Sequence, residues 1–191
     1  MEHKERDDSL KPIRNDAAIA LEAISLPKEA SILDVGTGAG NFAIALALEG
    51  YDVLTGEPES DATHYARQNW QENAAAYGVQ DKIRFQAFDA SNMPFEKECF
   101  DAVFFFGVLH HVDEDKRAAV FSEALRVVKP NGAAVFFEPR HALLEKIWVD
   151  DPGHPLAADP SHYVDGKDIR ERRFEGAMMD IFIYERANAS A

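Results

Sequence analysis

A glycine-rich segment, Gly36–Gly40, follows a short apolar run and constrains the fold more than any other feature of this 191-residue chain. Residues 32–35 have the apolar character of a buried parallel strand. Residues 42–48 are typical of a helix, which would end at Gly50. A strand, a glycine turn and a helix N-terminus together form a ligand cradle, because backbone N–H groups point outward and the helix dipole adds partial positive charge.

The spacing of these glycines discriminates between ligands. They are spaced G-x-G-x-G, whereas the dinucleotide fingerprint is G-x-G-x-x-G, and Asn41 stands where that fingerprint requires its last glycine. This spacing disfavours a nicotinamide-dependent dehydrogenase. Together with the acidic Asp34, the run Leu-Asp-Val-Gly-Thr-Gly-Ala-Gly at residues 33–40 resembles motif I of the class I S-adenosylmethionine-dependent methyltransferases. The resemblance implies S-adenosylmethionine as the cofactor.

A second acidic position follows the next predicted strand, residues 51–56. Glu57 lies at the end of this strand, and the segment Glu-Pro-Glu-Ser resembles the family segment whose acid binds the adenosine ribose. A carboxylate at this point can accept both ribose hydroxyls. Glu59 and Asp61 are the alternative acids if the strand ends later.

Asp89 follows a third predicted strand, residues 83–88. The family's acid at this position accepts a hydrogen bond from the adenine amino group, and the next backbone N–H donates to the ring. Without the resemblance, Asp89 is read as an aspartate that caps a turn. The resemblance implies a set of cofactor-binding residues: Asp34, Gly36, Thr37, Gly38, Gly40, Asn41, Glu57, Pro58, Asp89, Ala90, Phe106 and Gly107.

Two adjacent histidines are the candidate catalytic residues. They follow a strongly apolar fourth strand, residues 101–106, and the segment Gly107–Val112 is similar to the Leu-His-His signature of many small-molecule methyltransferases. Histidine is the usual base near neutral pH, and one is needed only if the acceptor carries a proton. Since adjacent side chains usually point in different directions, we expect at most one of His110 and His111 to face the acceptor. The alternative is a structural role, in which an imidazole holds this loop.

Strands that alternate with helices predict a single α/β domain over residues 1–191, with a doubly wound, mostly parallel sheet and helices on both faces. The resemblance, which covers about residues 32–140, implies a Rossmann-like methyltransferase core with a shortened C-terminal part. The remaining elements predicted from the pattern are a mobile arm over 1–14, helices over 15–26 (capped by Asn15 or Asp16), 61–77, 114–128 and 142–149, a turn at 130–132, a fifth strand over 133–138 and a last pair of strands within 165–185.

The charge and the composition of the chain disfavour some classes of partner and site. The formal net charge of −14 disfavours a nucleic-acid substrate, and no apolar run is long enough to cross a membrane. Cys99 is the only cysteine, so no disulfide within the chain and no cysteine-based metal site is expected, which fits a cytoplasmic setting. Three further histidines are considered as metal ligands: His141, His154 and His162. Their spacing matches no compact metal-binding pattern, so we predict no metal site.

The acceptor is expected to be a small molecule, and the segment 141–167 is a candidate lid over it, with help from residues 1–26. Aromatic and polar side chains in a loop beside a rigid sheet often cover a substrate, and here Trp148 and Tyr163 are the main candidates. The alternative is a surface excursion that leads to the last strand. The second interpretation of the whole chain is a non-catalytic S-adenosylmethionine-binding or regulatory protein with the same core.

Overall fold

The computed structural model describes residues 2–61, 63–66, 68–166 and 168–187, with side chains from Ser9 onward. Some residues of the predicted elements lie outside the described residues: Met1 of the arm, Ala62 and Arg67 of the helix 61–77, Lys167 of the candidate lid and residues 188–191 of the domain. Within the described part, the strands form one sheet in the order β3-β2-β1-β4-β5-β7-β6. Six strands run in the same direction, and β7 runs opposite to them between β5 and β6. The strands are β1 (Ile32–Val35), β2 (Val53–Gly56), β3 (Ile83–Phe85), β4 (Phe100–Phe106), β5 (Val128–Pro139), β6 (Ile169–Glu175) and β7 (Met179–Arg186).

Helices cover both faces of this sheet, which confirms the predicted doubly wound α/β fold. Because parallel strands bury both faces, neighbouring residues of one strand belong to different cores. Ile32 and Phe104 pack with α1 and α2, whereas Leu33 and Phe105 pack with α4 on the opposite face. None of the described helices is long and apolar enough to span a membrane. The helices are α1 (Glu2–Ile24), α2 (Asn41–Leu48), α3 (Trp70–Ala76), α4 (Glu114–Val127) and α5 (His141–Asp150).

The N-terminal helix is longer than predicted. It begins at Glu2, and Leu10 and Ile13 are buried in the core shared with α2. The prediction of a mobile arm over residues 1–14 is therefore wrong for residues 10–13. Leu10 and Ile13 lie three positions apart on one helix face, and the free energy gained by burying both side chains stabilises the helix despite its charged residues.

Asp16 has a different role from the helix cap that the pattern predicted. It lies within α1 and is buried, and its carboxylate accepts hydrogen bonds from three successive backbone N–H groups, those of residues 177–179, in the turn between β6 and β7. The bonds to Met178 and Met179 are 3.1 and 3.0 Å long. This long-range contact fixes α1 to the antiparallel hairpin at the end of the chain.

The predicted helix over residues 61–77 is wrong in its first half. Among the described residues of this range, only Trp70–Ala76 is helical, and residues 63–66 form turns in which the Tyr65 carbonyl lies close to Gly38. The side chain of Tyr65 leaves the helical pattern because it makes tertiary contacts, described below, with residues far along the chain. Here tertiary structure overrides local periodicity.

Two strand boundaries also differ from the predictions. β3 ends at Phe85, but the amides of Gln86 and Phe88 still donate to the carbonyls of Thr55 in β2 and of Glu57 directly after it, so Asp89 keeps the expected position. β5 begins at Val128 and includes the predicted turn 130–132. Its pairing with β4 is irregular there, since the register jumps from Val128 to Ala133.

The end of the chain forms both of the predicted last strands. β6 and β7 pair over residues Ile169–Glu175 and Asp180–Arg186, and β7 also pairs with β5. The short helix predicted over 142–149 is confirmed as α5. Residues 151–159 between α5 and the turn Pro160–Tyr163 have no regular structure, as their prolines indicated.

Candidate functional site

A cavity of about 640 Å³ lies beyond the carboxyl ends of the central parallel strands. This is the edge at which open α/β sheets bind ligands, and the volume is in the range of small-molecule sites. Gly36, Glu57 and Gly107 follow β1, β2 and β4 directly, and Asp89 follows the extension of β3. All four line the cavity.

The loop after β1 requires glycine at two positions for different reasons. Gly38 has φ +46°, and its N–H donates to Oε2 of Glu57 over 2.9 Å, so the loop and the acid after β2 are held together. Gly36 has φ +88°, and a Cβ there would lie 2.5 Å from Cγ2 of Val108. A side chain at either position would be strained and would disturb the cavity wall.

Asp34 lies beneath this loop and does not line the cavity. Its Oδ2 accepts a hydrogen bond of 2.8 Å from Oγ1 of Thr55, which lies 3.0 Å from Oγ1 of Thr37. Asp34 Oδ1 is buried and has no hydrogen-bond partner among the described residues. Burial raises the pKa of Asp34 to about 7; the hydrogen bond from Thr55 opposes this rise and the charge of Glu57 adds to it.

The acid after β3 is arranged differently. Oδ1 of Asp89 accepts hydrogen bonds from the N–H and the hydroxyl of Ser91, at 2.8 and 2.7 Å. These bonds hold the pKa of Asp89 below its usual value, so the side chain is a carboxylate at neutral pH. It is thus ready to accept a further hydrogen bond from a ligand in the cavity.

Most of the residues that the resemblance assigned to the cofactor line this one cavity. Asp34 and Gly40 lie outside its wall; Gly40 instead precedes α2 with φ +77°. Of the alternative acids after β2, Asp61 lines the cavity and Glu59 does not. The predicted cofactor-binding residues on the wall are Gly36, Thr37, Gly38, Asn41, Glu57, Pro58, Asp89, Ala90, Phe106 and Gly107.

The two candidate catalytic histidines point in different directions. His110 is buried, and its Nδ1 lies 2.8 Å from Oε2 of Glu138, near the carboxyl end of β5. His111 is exposed and lines the cavity. Partial burial and the neighbouring imidazoles of His110 and His154 lower the pKa of His111 to about 4, so this ring is neutral at pH 7.

A third histidine, His154, joins this pair from the irregular segment after α5. Its ring centre lies 5.1 Å from that of His110 and 4.9 Å from that of His111. Its Nδ1 is 2.9 Å from the carbonyl oxygen of Pro155. The Nε1–H of Trp148 donates to the His154 carbonyl over 2.8 Å and so fixes its backbone.

Other contacts attach the segment after α5 to the sheet. The amide of Ala158 donates to Oε2 of Glu138 over 2.8 Å, so one buried carboxylate oxygen binds both this segment and His110. Arg117 of α4 lies 3.4 Å from the Tyr163 hydroxyl and also donates to the carbonyl of His110. His141 and His162 are exposed and lie outside the histidine cluster.

Sequence reasoning missed Tyr65 and Asp151. The hydroxyl of Tyr65 donates to Oδ2 of Asp151 over 2.7 Å, and its ring lies 4.8 Å from that of His111. Burial, with this bond and the charge of Asp151, raises the pKa of Tyr65 to about 12. The partners are far apart in the chain and no local motif marks them. Ile13 of α1 also lines the cavity.

Charge on the cavity wall favours a ligand with a cationic group. The wall has one lysine, Lys116, among the described residues and several carboxylates. Acidic clefts concentrate positively charged ligands. S-adenosylmethionine, with its sulfonium and its ribose diol, fits this donor and acceptor set. The acidic residues on the wall are Glu57, Asp61, Asp89 and Asp113.

Comparisons with known proteins agree with this geometry. The family described as "Methyltransferase domain" matches residues 33–136. The sterol 24-C-methyltransferase of Pneumocystis carinii is 29% identical over 141 residues, which are 74% of this chain and 35% of that protein. The demethylmenaquinone methyltransferase of Clavibacter sepedonicus is 31% identical over 107 residues, 56% of this chain and 40% of that protein. The chain thus spans less than half the length of these curated relatives.

A solved structure supports the fold over the whole chain. The crystal structure of a putative S-adenosylmethionine-dependent methyltransferase from Methanococcus maripaludis has a TM-score of 0.70 and 16% identity, and covers 100% of this chain and 93% of that one. The matched family region begins in β1 and ends in β5, so it contains the glycine-rich loop, both strand-end acids and the histidine pair. The chain therefore belongs to the class I S-adenosylmethionine-dependent methyltransferase family.

Proposed function

We propose that this protein binds S-adenosylmethionine in the cavity and transfers its methyl group to a small-molecule acceptor at the His111 end. One observation carries the proposal. The loop around Gly38, the acids Glu57 and Asp89, and the imidazole of His111 come from four successive strand ends and line one cavity. Groups that are distant in sequence but meet around one volume are a stronger indication of a ligand than any single motif.

The proposed cofactor position assigns one part of the ligand to each element. The glycine-rich loop holds the methionine part, Glu57 accepts from the ribose hydroxyls, and Asp89 with the Ala90 N–H binds the adenine edge. Asp34 acts from below the loop through Thr55 and Thr37. The carboxylates on the wall favour the charged sulfonium over a neutral analogue.

When bound, the cofactor supplies an electrophilic methyl group on a positively charged sulfur, which is a good leaving group. The residues of the chain therefore contribute mainly by alignment and by exclusion of water. His111 is the imidazole that contacts the acceptor, since it lies on the cavity wall. His110 is a positioning residue: it is held by Glu138 and packs against the His111 ring at 4.2 Å between centres.

We assign the cover of the acceptor to α1 and to the segment 141–166, whose described residues, Trp148 and Tyr163 among them, lie off the cavity wall but reach its edge where His154 packs against Tyr65 and His111. The contacts of Ala158 with Glu138 and of Tyr65 with Asp151 hold this segment at the ends of β4 and β5. Ile13 contributes an apolar side chain to the wall from the other side. A concave cavity of about 640 Å³ suits an organic small molecule better than a polymer.

The test is a transfer assay with labelled S-adenosylmethionine and a fractionated cell extract. The expected result is label in the small-molecule fraction, with one equivalent of S-adenosylhomocysteine formed for each methyl group transferred. Label confined to protein or nucleic acid would overturn the acceptor class. Cofactor binding by calorimetry without turnover in any fraction would favour the non-catalytic interpretation.

A further inference from the structure

We propose that His110, His111 and His154 form a binding site for a divalent late first-row transition-metal ion, with Zn²⁺ the best match. One ligand atom from each of the three imidazoles lies within 4.8 Å of the other two. The sequence shows only the adjacent pair, and the third ligand arrives from the irregular segment after α5. The site adjoins the cavity through His111, and its occupation can be measured without cofactor or methyl transfer.

The hydrogen bonds of the two buried histidines are those of metal ligands. Nδ1 of His110 faces a carboxylate oxygen of Glu138 at 2.8 Å, and Nδ1 of His154 faces the carbonyl oxygen of Pro155 at 2.9 Å. A carbonyl oxygen and a carboxylate oxygen both accept, so each Nδ1 is the donor in these contacts and each Nε2 is the nitrogen left for an ion. Metal-binding histidines are almost always held by such a carboxylate or carbonyl on the other nitrogen.

The three imidazoles need to move only slightly closer together to bind one ion. With Zn–N bonds of about 2.1 Å, the nitrogens of a tetrahedral site are about 3.4 Å apart, so a separation of up to 4.8 Å must shrink by at most about 1.4 Å. His110 and His154 are buried and fixed, whereas His111 is exposed and its side chain is free to rotate toward them. The rigid pair sets the position of the ion, and His111 completes the site.

The surrounding contacts make the buried half of the site rigid. Glu138 is 1% exposed, and its Oε2 is fixed by the Ala158 amide as well as by His110. The Trp148 indole holds the backbone of His154 over 2.8 Å. A site whose ligands are held by second hydrogen bonds loses little entropy on binding an ion.

Three imidazole ligands leave one tetrahedral position open. Because His111 lies on the cavity wall, this position faces the acceptor end. It would hold water or a heteroatom of the acceptor, which the ion would polarise. An all-nitrogen donor set selects Zn²⁺, Co²⁺ or Ni²⁺ over Mg²⁺ and Ca²⁺, which prefer oxygen.

The test uses the full chain, without a histidine tag and after treatment with a chelator, and no cofactor. Titration with Co²⁺ should show the visible bands of a tetrahedral centre at one equivalent, and Zn²⁺ should displace them. His111→Ala should weaken Zn²⁺ binding roughly 100-fold or more, and Glu138→Gln about 10- to 100-fold. His162→Ala is the matched control, because this exposed histidine of the neighbouring segment lies outside the cluster, and it should bind Zn²⁺ like the parent.

His111→Ala changes an exposed side chain, and thermal unfolding checks that it folds; this keeps the test informative if the buried substitution at Glu138 does not fold. Absence of one-equivalent binding by the folded parent, or equal weakening in His111→Ala and His162→Ala, would overturn the site. The affinity of the metal-free protein for S-adenosylmethionine is measured separately by calorimetry. A failed metal site with intact cofactor binding leaves the proposed methyl transfer standing, and the reverse result leaves the metal site standing.

Discussion

The two ends of the cavity are built in different ways. At the cofactor end, each group belongs to a loop that directly follows its own strand, and the main link between loops is the bond from the Gly38 N–H to Glu57. At the acceptor end, side chains from the turn after β4, from β5 and from the segment after α5 meet through His110, Glu138 and His154. The first end is defined by backbone and the second by long-range side-chain contacts.

This difference indicates how the two functions can change independently. Backbone loops at parallel strand ends keep their positions as long as the sheet forms, so the cofactor end depends on a few residues with special conformations. The acceptor end depends on a network in which each side chain holds the next. Variants of the first end should therefore affect cofactor binding, and variants of the second should spare it.

The largest expected effect is at the glycine-rich loop. Gly38→Val should reduce S-adenosylmethionine affinity at least about 100-fold, because φ is +46° and a Cβ would lie 3.1 Å from the Tyr65 carbonyl oxygen. Calorimetry measures the affinity. Gly78→Val is the matched control: its φ of +71° carries similar strain, but no atom lies within 4 Å and it is not on the cavity wall. Equal affinities in the Gly38 variant and the parent would contradict the assigned loop.

The next effect concerns the two acids that the proposal assigns to the nucleoside. Glu57→Ala and Asp89→Ala should each weaken cofactor binding by about 1–3 kcal/mol, since each removes a charged acceptor and leaves ligand groups unpaired. Binding calorimetry of both variants checks this. Glu59→Ala is the control, because that exposed carboxylate is two residues from Glu57 and does not line the cavity. If all three variants bind like the parent, the ribose and adenine assignments have no support.

The same division explains what can be predicted from the sequence. The apolar runs before Gly36 and Gly107 predict β1 and β4, and alternation of strands and helices predicts the fold, because these signals are local and repeat along the chain. The positions of Glu57 and Asp89 follow from the rule that parallel strands end at one edge. Local sequence signals therefore predict that these strand-end groups share one edge of the sheet, but not that Asp34 and Gly40 lie outside the cavity wall.

The acceptor end cannot be predicted in this way. Nothing near Asp16 indicates a hairpin 161 residues later, and nothing near Tyr65 indicates Asp151. The helical spacing of residues 61–77 predicts a buried helix because periodicity ignores competing tertiary contacts. Sequence order groups His154 with His141 and His162, whereas its neighbours in space are His110 and His111.

A separate effect, on stability and not on cofactor affinity, tests the buried acid beneath the cofactor loop. Because the pKa of Asp34 is raised to about 7, the folded state binds more protons than the unfolded state between about pH 4 and pH 7. The free energy of unfolding should thus lose about 1.4 kcal/mol per pH unit as pH rises through this window. Asp34→Asn removes this term and keeps an acceptor for Thr55, so the variant should gain stability relative to the parent as pH rises.

Denaturant unfolding at several pH values from 4 to 8 measures this difference. The control is Asp52→Asn, whose side chain is 75% exposed and whose stability difference from the parent should stay nearly constant with pH. Parallel stability curves for the parent and Asp34→Asn would show that Asp34 is already ionised in the folded state at low pH.

The smallest expected effect is at the support of the acceptor end. Trp148→Phe removes the hydrogen bond of 2.8 Å to the His154 carbonyl but keeps an aromatic ring, at a cost of about 1 kcal/mol. If this bond positions the segment over the acceptor, kcat/KM for the acceptor found in the transfer assay should fall about fivefold, while the cofactor affinity stays unchanged. Hydrogen exchange at the His154 amide, which bonds to the Asp151 carbonyl at 3.1 Å, should quicken by a similar factor.

Tyr163→Phe is the companion variant, because its 3.4 Å contact with Arg117 is longer and should contribute less. Faster exchange with unchanged turnover would show that the segment is held by Trp148 but does not cover the acceptor, and an equal loss of cofactor affinity would contradict the separation of the two ends.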